Sequence, residues 1–273
     1  MDIEQLLKNR QLDLCLEQTC GQLQREPGNI RQRVFLFQLL CVLNEFERAN
    51  EQLDILADLS DSNLALKNTY QALIAAEKFR NQVIAGTRAP TIFGQPPLWV
   101  SYYVQALASY NLGNLPRAKK EIEAGADQAP AIAGTINGES FLWLADADVR
   151  FGPLLEIIIN GRYYWLPFSR IRQLLIEDFE DLRDLVWCPC HLTLENQAEM
   201  IAFIPTRYPA LPTGESLENT GDHHALCLAS TTLWQTPQEN FYIGQGLRSF
   251  ITDKSEYPLS DINTVTLDLE SPR

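Results

Sequence analysis

Basic residues are scarce in this chain of 273: 22 lysines and arginines stand against 35 aspartates and glutamates, a net charge of −13 and a pI near 4.7. So acidic a surface repels phosphate backbones and anionic membranes, which argues against general nucleic-acid binding and favours a basic partner. Long apolar runs are missing as well; none approaches the roughly 20 residues that span a bilayer. The opening stretch, Met1 to Lys8, reads as an amphipathic helix without the basic start and apolar centre of a secretion signal, so a cytoplasmic location is expected. There are three histidines in all, no Gly-x-Ser-x-Gly elbow and no Walker loop, and Gly244-Gln245-Gly246 is too short for a dinucleotide fingerprint. No catalytic residue and no cofactor is assigned on this basis. The six cysteines, in a reducing compartment, do not make a disulfide framework. What is present is globular composition, 45% hydrophobic, which excludes a disordered chain and suffices for one large domain or two ordinary ones.

The first half carries a helical repeat. From Tyr102 to Pro130, small residues at Ala106, Ala118 and Gly125-Ala126 let two helices approach closely, Gly113-Asn114 makes the turn between them, and Pro116 sits in the first turn of the second. Ala49 follows an earlier turn at Asn44-Glu45, and Cys15 occupies the same slot thirty-four residues before it. A period of about 34 is that of tetratricopeptide (TPR) units, so residues 1–130 are expected to form a TPR-like α-solenoid. Leu64 to Ile84 keeps helical spacing, and Gly86 to Pro97 reads as an inserted loop. Most of the apolar stripes pack helix on helix. The first helix of each pair lines the concave side of such an array, which by register presents Arg31, Val34, Gln38, Tyr103, Tyr110 and Asn111 as candidate partner contacts.

After Pro130 the pattern changes. Residues 131–153 read as a linker with a short helix at Phe141–Ala147, and 154–273 as a β-rich domain, giving an α+β chain. Leu154–Ile159 and Arg162–Pro167 flank Asn160-Gly161, a strong hairpin signal. Ile171–Leu182 has helical spacing. Further strands are expected at 192–195, 200–204, 225–234, 248–251 and 265–269.

Two clusters suggest chemistry. Cys188-Pro189-Cys190-His191 and His223-His224-Ala225-Leu226-Cys227 hold zinc-type ligands, but one residue between the paired cysteines is too few for a structural site, so no metal is expected. Asp146 and Asp148 have the oxygens for magnesium; a capping or turn role ahead of Gly152-Pro153 accounts for them as well. The acidic run Glu177–Asp184 fits a solvated helix face.

Beginning at Asp146-x-Asp148-x-Arg150-x-Gly152-Pro153-Leu154-Leu155-Glu156, and continuing through Tyr163-Tyr164-Trp165-Leu166-Pro167-Phe168, Leu182-Arg183-Asp184-Leu185-x-Trp187, Pro205-x-Arg207-Tyr208-Pro209 and Gly244-Gln245-Gly246-Leu247-Arg248, the sequence resembles the ImpE/TagJ family, the SciE-type virulence proteins of type VI secretion clusters. The resemblance implies a cytoplasmic accessory protein that binds a helix of the small sheath subunit, TssB, and through it bears on the ClpV unfoldase. It supplies no catalytic residues. The chain departs from the family at Cys190, where an alanine is expected, which further weakens a zinc site. Two functions follow: an adaptor for an amphipathic helix, or a carboxylate-based hydrolase built on Asp146, Asp148 and Glu156 beside Arg150. On the adaptor reading Asp146, Asp148, Arg150, Glu156, Tyr164, Trp165, Trp187 and Arg248 are architectural: the three aromatics should be buried and the two arginines paired with carboxylates.

Overall fold

The computed structural model describes residues 3–209 and 221–269. Helices lead: α1 (Ile3–Lys8), α2 (Leu12–Arg25), α3 (Ile30–Val42), α4 (Phe46–Leu59), α5 (Leu64–Ile84), α6 (Val100–Asn111) and α7 (Leu115–Gln128). Their boundaries have local causes. The Asn29 side chain caps α3 by accepting from the Gln32 N–H at 3.1 Å, and Asn114 caps α7 in the same way. Pro116 lies in the first turn of α7, where its missing N–H is harmless. Neighbours in sequence pack on one another, α3 on α4, α4 on α5 and α6 on α7. α3 is the central helix, buried continuously from Leu36 to Val42.

The remainder is mostly strand: β1 (Gly134–Ile136), β2 (Glu139–Phe141), β3 (Leu144–Asp146), β4 (Leu154–Ile159), β5 (Arg162–Pro167), β6 (Ile171–Ile176), β7 (Trp187–Leu194), β8 (Glu199–Pro205), β9 (Arg207–Tyr208), a short helix α8 (Gly221–Cys227), then β10 (Thr232–Gln238), β11 (Phe241–Leu247), β12 (Ser249–Thr252), β13 (Glu256–Pro258) and β14 (Thr264–Leu267). An antiparallel sheet runs β2-β1-β14-β6-β7-β8-β4-β5, beside two smaller ones, β10-β11-β9 and β13-β12-β3. The chain is thus α+β, helices first and antiparallel sheet after.

Three expectations are corrected. The 131–153 segment is no linker: it holds β1, β2 and β3, and Phe141–Ala147 is not helical, because burial alternates with period two at Leu144, Ala145 and Asp146. Ile171–Leu182 is not a helix either. A register shift between Ile171 and Gln173 slips the phase of β6, so its buried residues fall at Ile171, Leu174 and Ile176, and a bulged strand imitates helical spacing. Within 225–234, Ala225–Cys227 close α8 and only Thr232 onward is strand, since a short, all-apolar run reads the same for either element.

β4 is buried on both faces. Leu154 and Ile158 join a core shared with α1–α6, Tyr163, Trp165 and Trp187. Leu155, Ile157 and Ile159 join a second core within the sheets. Glu156, between Leu154 and Ile158 in the alternation, therefore faces the helices. The 86–97 loop covers the free edge of β5: Phe93 N–H donates to Trp165 O and Trp165 N–H to Thr91 O, each at 2.9 Å. The hairpin between β4 and β5 turns on Asn160 (φ 50°) and Gly161 (φ 71°). A Cβ on Gly161 would lie 2.7 Å from the Cβ of Ala72 in α5. Gly161→Ala is therefore expected to lower stability by about 1–3 kcal/mol in a urea titration, combining a positive φ with a clash against α5.

Candidate functional site

The signature residues meet where the helices touch the sheet. Glu156 is fully buried at the centre. Arg80 of α5 grips it with two parallel hydrogen bonds of 2.8 Å, from Nε to Oε1 and from Nη2 to Oε2. Arg248 pairs with Glu156 on one side and Asp146 on the other, and its Nε donates to the Pro205 carbonyl at 2.9 Å. Tyr163 adds its hydroxyl to Glu156 and accepts from Trp165 Nε1 at 2.7 Å. The Arg248 guanidinium lies between the rings of Tyr208 and Phe151, 4.9 and 5.3 Å from their centroids. Asp148 receives the Arg150 N–H and the Gly244 N–H, each at 2.9 Å, together with the Arg150 guanidinium.

Both oxygens of each carboxylate are taken, Glu156 accepting four hydrogen bonds from Arg80, Arg248 and Tyr163. A carboxylate working as base or nucleophile needs a face turned to substrate. These have none, and the three are held in the interior. The two arginines pull Glu156 down to about 2 against its burial. Burial pushes Asp146 up, to about 7, against the pull of Arg248. The pH consequence in acid comes from Glu156. Its folded pKa is depressed below the ordinary value of 4.5, so the unfolded chain binds the extra proton, and the stability Glu156 contributes is full above about 4.5 and lost as pH falls toward about 2. Asp146 opposes this only at higher pH, between 3.8 and about 7. Urea midpoints should therefore fall through the acid window in the wild type, and that part of the slope should vanish in Glu156→Gln among variants that still fold.

Arg207, in the Pro205-x-Arg207-Tyr208 motif, is used differently. Its Nη1 donates to the carbonyls of Val42 and Cys227, both at 2.7 Å, and Nη2 to the Asn44 side chain at 2.9 Å. The guanidinium thus closes the C-terminal ends of α3 and α8, whose partial negative charge suits a cation. Gly244 is required by close approach: a Cβ there would lie 2.2 Å from the Tyr208 ring.

Two of the expected contacts of the concave face, Gln38 and Tyr103, are turned inward. Tyr103 is 1% exposed, with its ring against Gly125 and Gly152, and Gln38 is 8% exposed. Tyr110 stacks on Phe241 at 6.1 Å. Asn111 Nδ2 donates to the Ile84 and Leu107 carbonyls, tying α6 to the end of α5. Arg31 and Asn111 are exposed, with Val34 and Tyr110 half-buried. The reason is that the sheet itself occupies one side of the helical half, as the shared core shows. Trp165 and Trp187 are fully buried, whereas Tyr164 is only half-buried, facing away from Tyr163 and edge-on to Phe93.

The two zinc-type clusters are not brought together, although within the second Cys227 Sγ lies 3.4 Å from His223 Nε2. Cys188 and Cys190 both point into the sheet core, His191 lies outside it against Glu177, and Cys227 belongs to the helical core. Among the described residues no group of three or more His, Cys, Asp or Glu is arranged to hold a metal. Burial pushes the Cys190 thiol up to about 12 and, against the pull of Arg207, the Cys227 thiol above its ordinary value.

The missed members are Glu77 and Arg80; Arg207 stood in a family motif without a role. Glu77 and Arg80 lie in line with Leu73, Ile74, Ala76 and Val83 on the buried stripe of α5, where a charge needs a partner.

No helix among the described residues is long and apolar enough to cross a membrane. A type VI secretion system accessory component, TagJ, from Pseudomonas aeruginosa strain PAO1 is 41% identical over 270 residues, covering 99% of this chain and 92% of that protein. The crystal structure of protein VPA1032 from Vibrio parahaemolyticus superposes with a TM-score of 0.87 at 22% identity, covering 99% of this chain and 98% of that one, which establishes the shared fold. The family model described as ImpE protein matches residues 138–266, the stretch that supplies Asp146, Asp148, Arg150, Glu156 and Arg248. With its signature residues inside that match and a relative so similar along nearly its whole length, the chain belongs to the ImpE/TagJ family.

Proposed function

We propose that this protein is a cytoplasmic accessory component of a type VI secretion system that works by binding, and that its partner is an amphipathic helix of the small, TssB-like sheath subunit. Through that subunit it bears indirectly on the ClpV unfoldase. The accessory role is supported by the relative that carries it in name. The choice of binding over catalysis is carried by one observation, the saturation of Glu156, Asp146 and Asp148 by buried arginines. A hydrolase site would need at least one of these carboxylates open to substrate. The helical half, read as TPR-like pairs, shares a core with the sheet that packs on it, an arrangement suited to holding a partner helix. The net charge of −13 favours a helix bearing Lys or Arg and gives an association rate that falls with salt.

Co-purification of the intact protein with the small and large sheath subunits tests this. Retention of the small subunit at a fixed ratio, with weaker capture as salt is raised, is the expected result. Failure of the purified small subunit to bind at all removes the proposal.

A further inference from the structure

A cleft of about 410 Å3 opens between α7 and the place where β3, β11 and β12 come together. Its walls include Ile122 of α7, Trp143 and Val149 flanking β3, Tyr242 of β11 and Ile251 of β12, and Tyr103 forms part of the lining. Trp143 is 37% exposed, Tyr242 46% and Ile251 36%, with Leu142 beside them at 70%. Single exposed apolar side chains are ordinary; several around one concave site mark an interface, and aromatic ones are the common anchors. The one charged residue of the lining, Asp146, is already committed to Arg248 and Tyr208.

The chemistry of the walls selects the occupant. A small polar ligand finds no converging free polar groups to orient it. An added strand finds little edge: β3 is three residues long, and its Asp146 N–H already donates to the Gly152 carbonyl at 2.7 Å. A helix needs an apolar trough with charges beside it, and that is what is there. Next to the lining residues stand Glu123 and Asp127 on α7 and Asp253 after β12, all exposed, against Lys119, which lies 4.0 Å from Glu123, and Lys254; Asp253 also accepts from the Leu142 N–H at 2.7 Å. We infer that this cleft is the seat of the partner helix, an inference that rests on the binding function proposed above. The helix it takes carries an aliphatic ridge at i, i+3 or i+4, and i+7, with Lys or Arg on the flanks facing Glu123, Asp127 and Asp253. The contact surface thereby moves from the concave face of the helices to the junction of helix and sheet.

The test uses the full-length protein and the purified small sheath subunit in calorimetry. Ile251→Glu and Trp143→Ala, both at exposed positions, are expected to weaken binding at least tenfold with an unchanged melting temperature. Ile201→Glu, on an exposed strand position remote from the cleft in the sheet order, should leave the affinity as it is. A photo-crosslinking residue at Tyr242 should capture the subunit, and one at Ile201 should not. Wild-type binding with unchanged affinity in both cleft variants and no crosslink at Tyr242 overturns this seat while leaving the adaptor function standing. No wild-type binding overturns both. A self-association seen by light scattering and dissolved by the same two substitutions assigns the cleft to a second copy of this chain and likewise overturns the proposal.

Discussion

Arg248→Ala should leave the protein unfolded or barely folded. Arg248 is 0% exposed and bridges Asp146 and Glu156, while Arg80 pairs with Glu156 and Glu77 and forms no ion pair with Asp146. Removing it leaves the buried Asp146 without its arginine and takes from Glu156 one of its two. Breaking a buried ion pair typically costs about 3–5 kcal/mol, a large share of the roughly 5–15 kcal/mol that holds a domain together. The space left between the Tyr208 and Phe151 rings adds a cavity penalty. Arg248→Lys should lie between alanine and wild type, since a single ammonium cannot serve two carboxylates and the Pro205 carbonyl with the geometry of a guanidinium. Urea titration of expressed variants measures this. A loss under about 1 kcal/mol for the alanine variant is what a merely decorative pair at the surface would give, and would mean the network does not brace the junction.

Arg207→Ala is expected to cost about 3 kcal/mol or more and to loosen one side of the molecule in particular. Among the described residues no carboxylate forms an ion pair with Arg207, and burial pulls its pKa below the ordinary arginine range. Its value lies in the carbonyls it satisfies at the ends of α3 and α8. Each buried carbonyl left without a donor costs about 1–3 kcal/mol. Hydrogen exchange should consequently quicken first in the last turn of α3 and in α8, before the β4–β5 hairpin is affected. Uniform quickening across the whole chain would instead mark Arg207 as an ordinary contributor to global stability.

How much of this was legible in the sequence depended on the range of the contact. Local signals held: the Asn-Gly turn, the Pro116 and Asn114 start of α7, and helix over Leu64–Ile84 are each decided by neighbours within a few residues. Pairing of Arg150 and Arg248 with carboxylates followed from the cost of burying a charge, without any knowledge of which carboxylate. Glu156 came in through the family motif, and it is also the lone acid in the otherwise apolar run Leu154–Ile159. Its partner Arg80 lies 76 residues away, and no spacing rule reaches that far. β6 was misread because a bulge gives a strand the spacing of a helix. The inward turn of Tyr103 and Gln38 was illegible for a different reason: an array of helices considered alone has an open concave side, and nothing in its own residues says that a sheet will share its core.

Hydrogen–deuterium exchange on the intact protein, alone and with the small sheath subunit, tests the central claim most directly, because it reports binding and its location in one measurement. The account predicts protection confined to 122–131 in and after α7, 142–149 around β3, and the cleft-lining parts of β11 and β12, with the exposed start of α3 around Arg31 unchanged. Protection of α3 without the cleft, or identical exchange with and without the subunit, would contradict it.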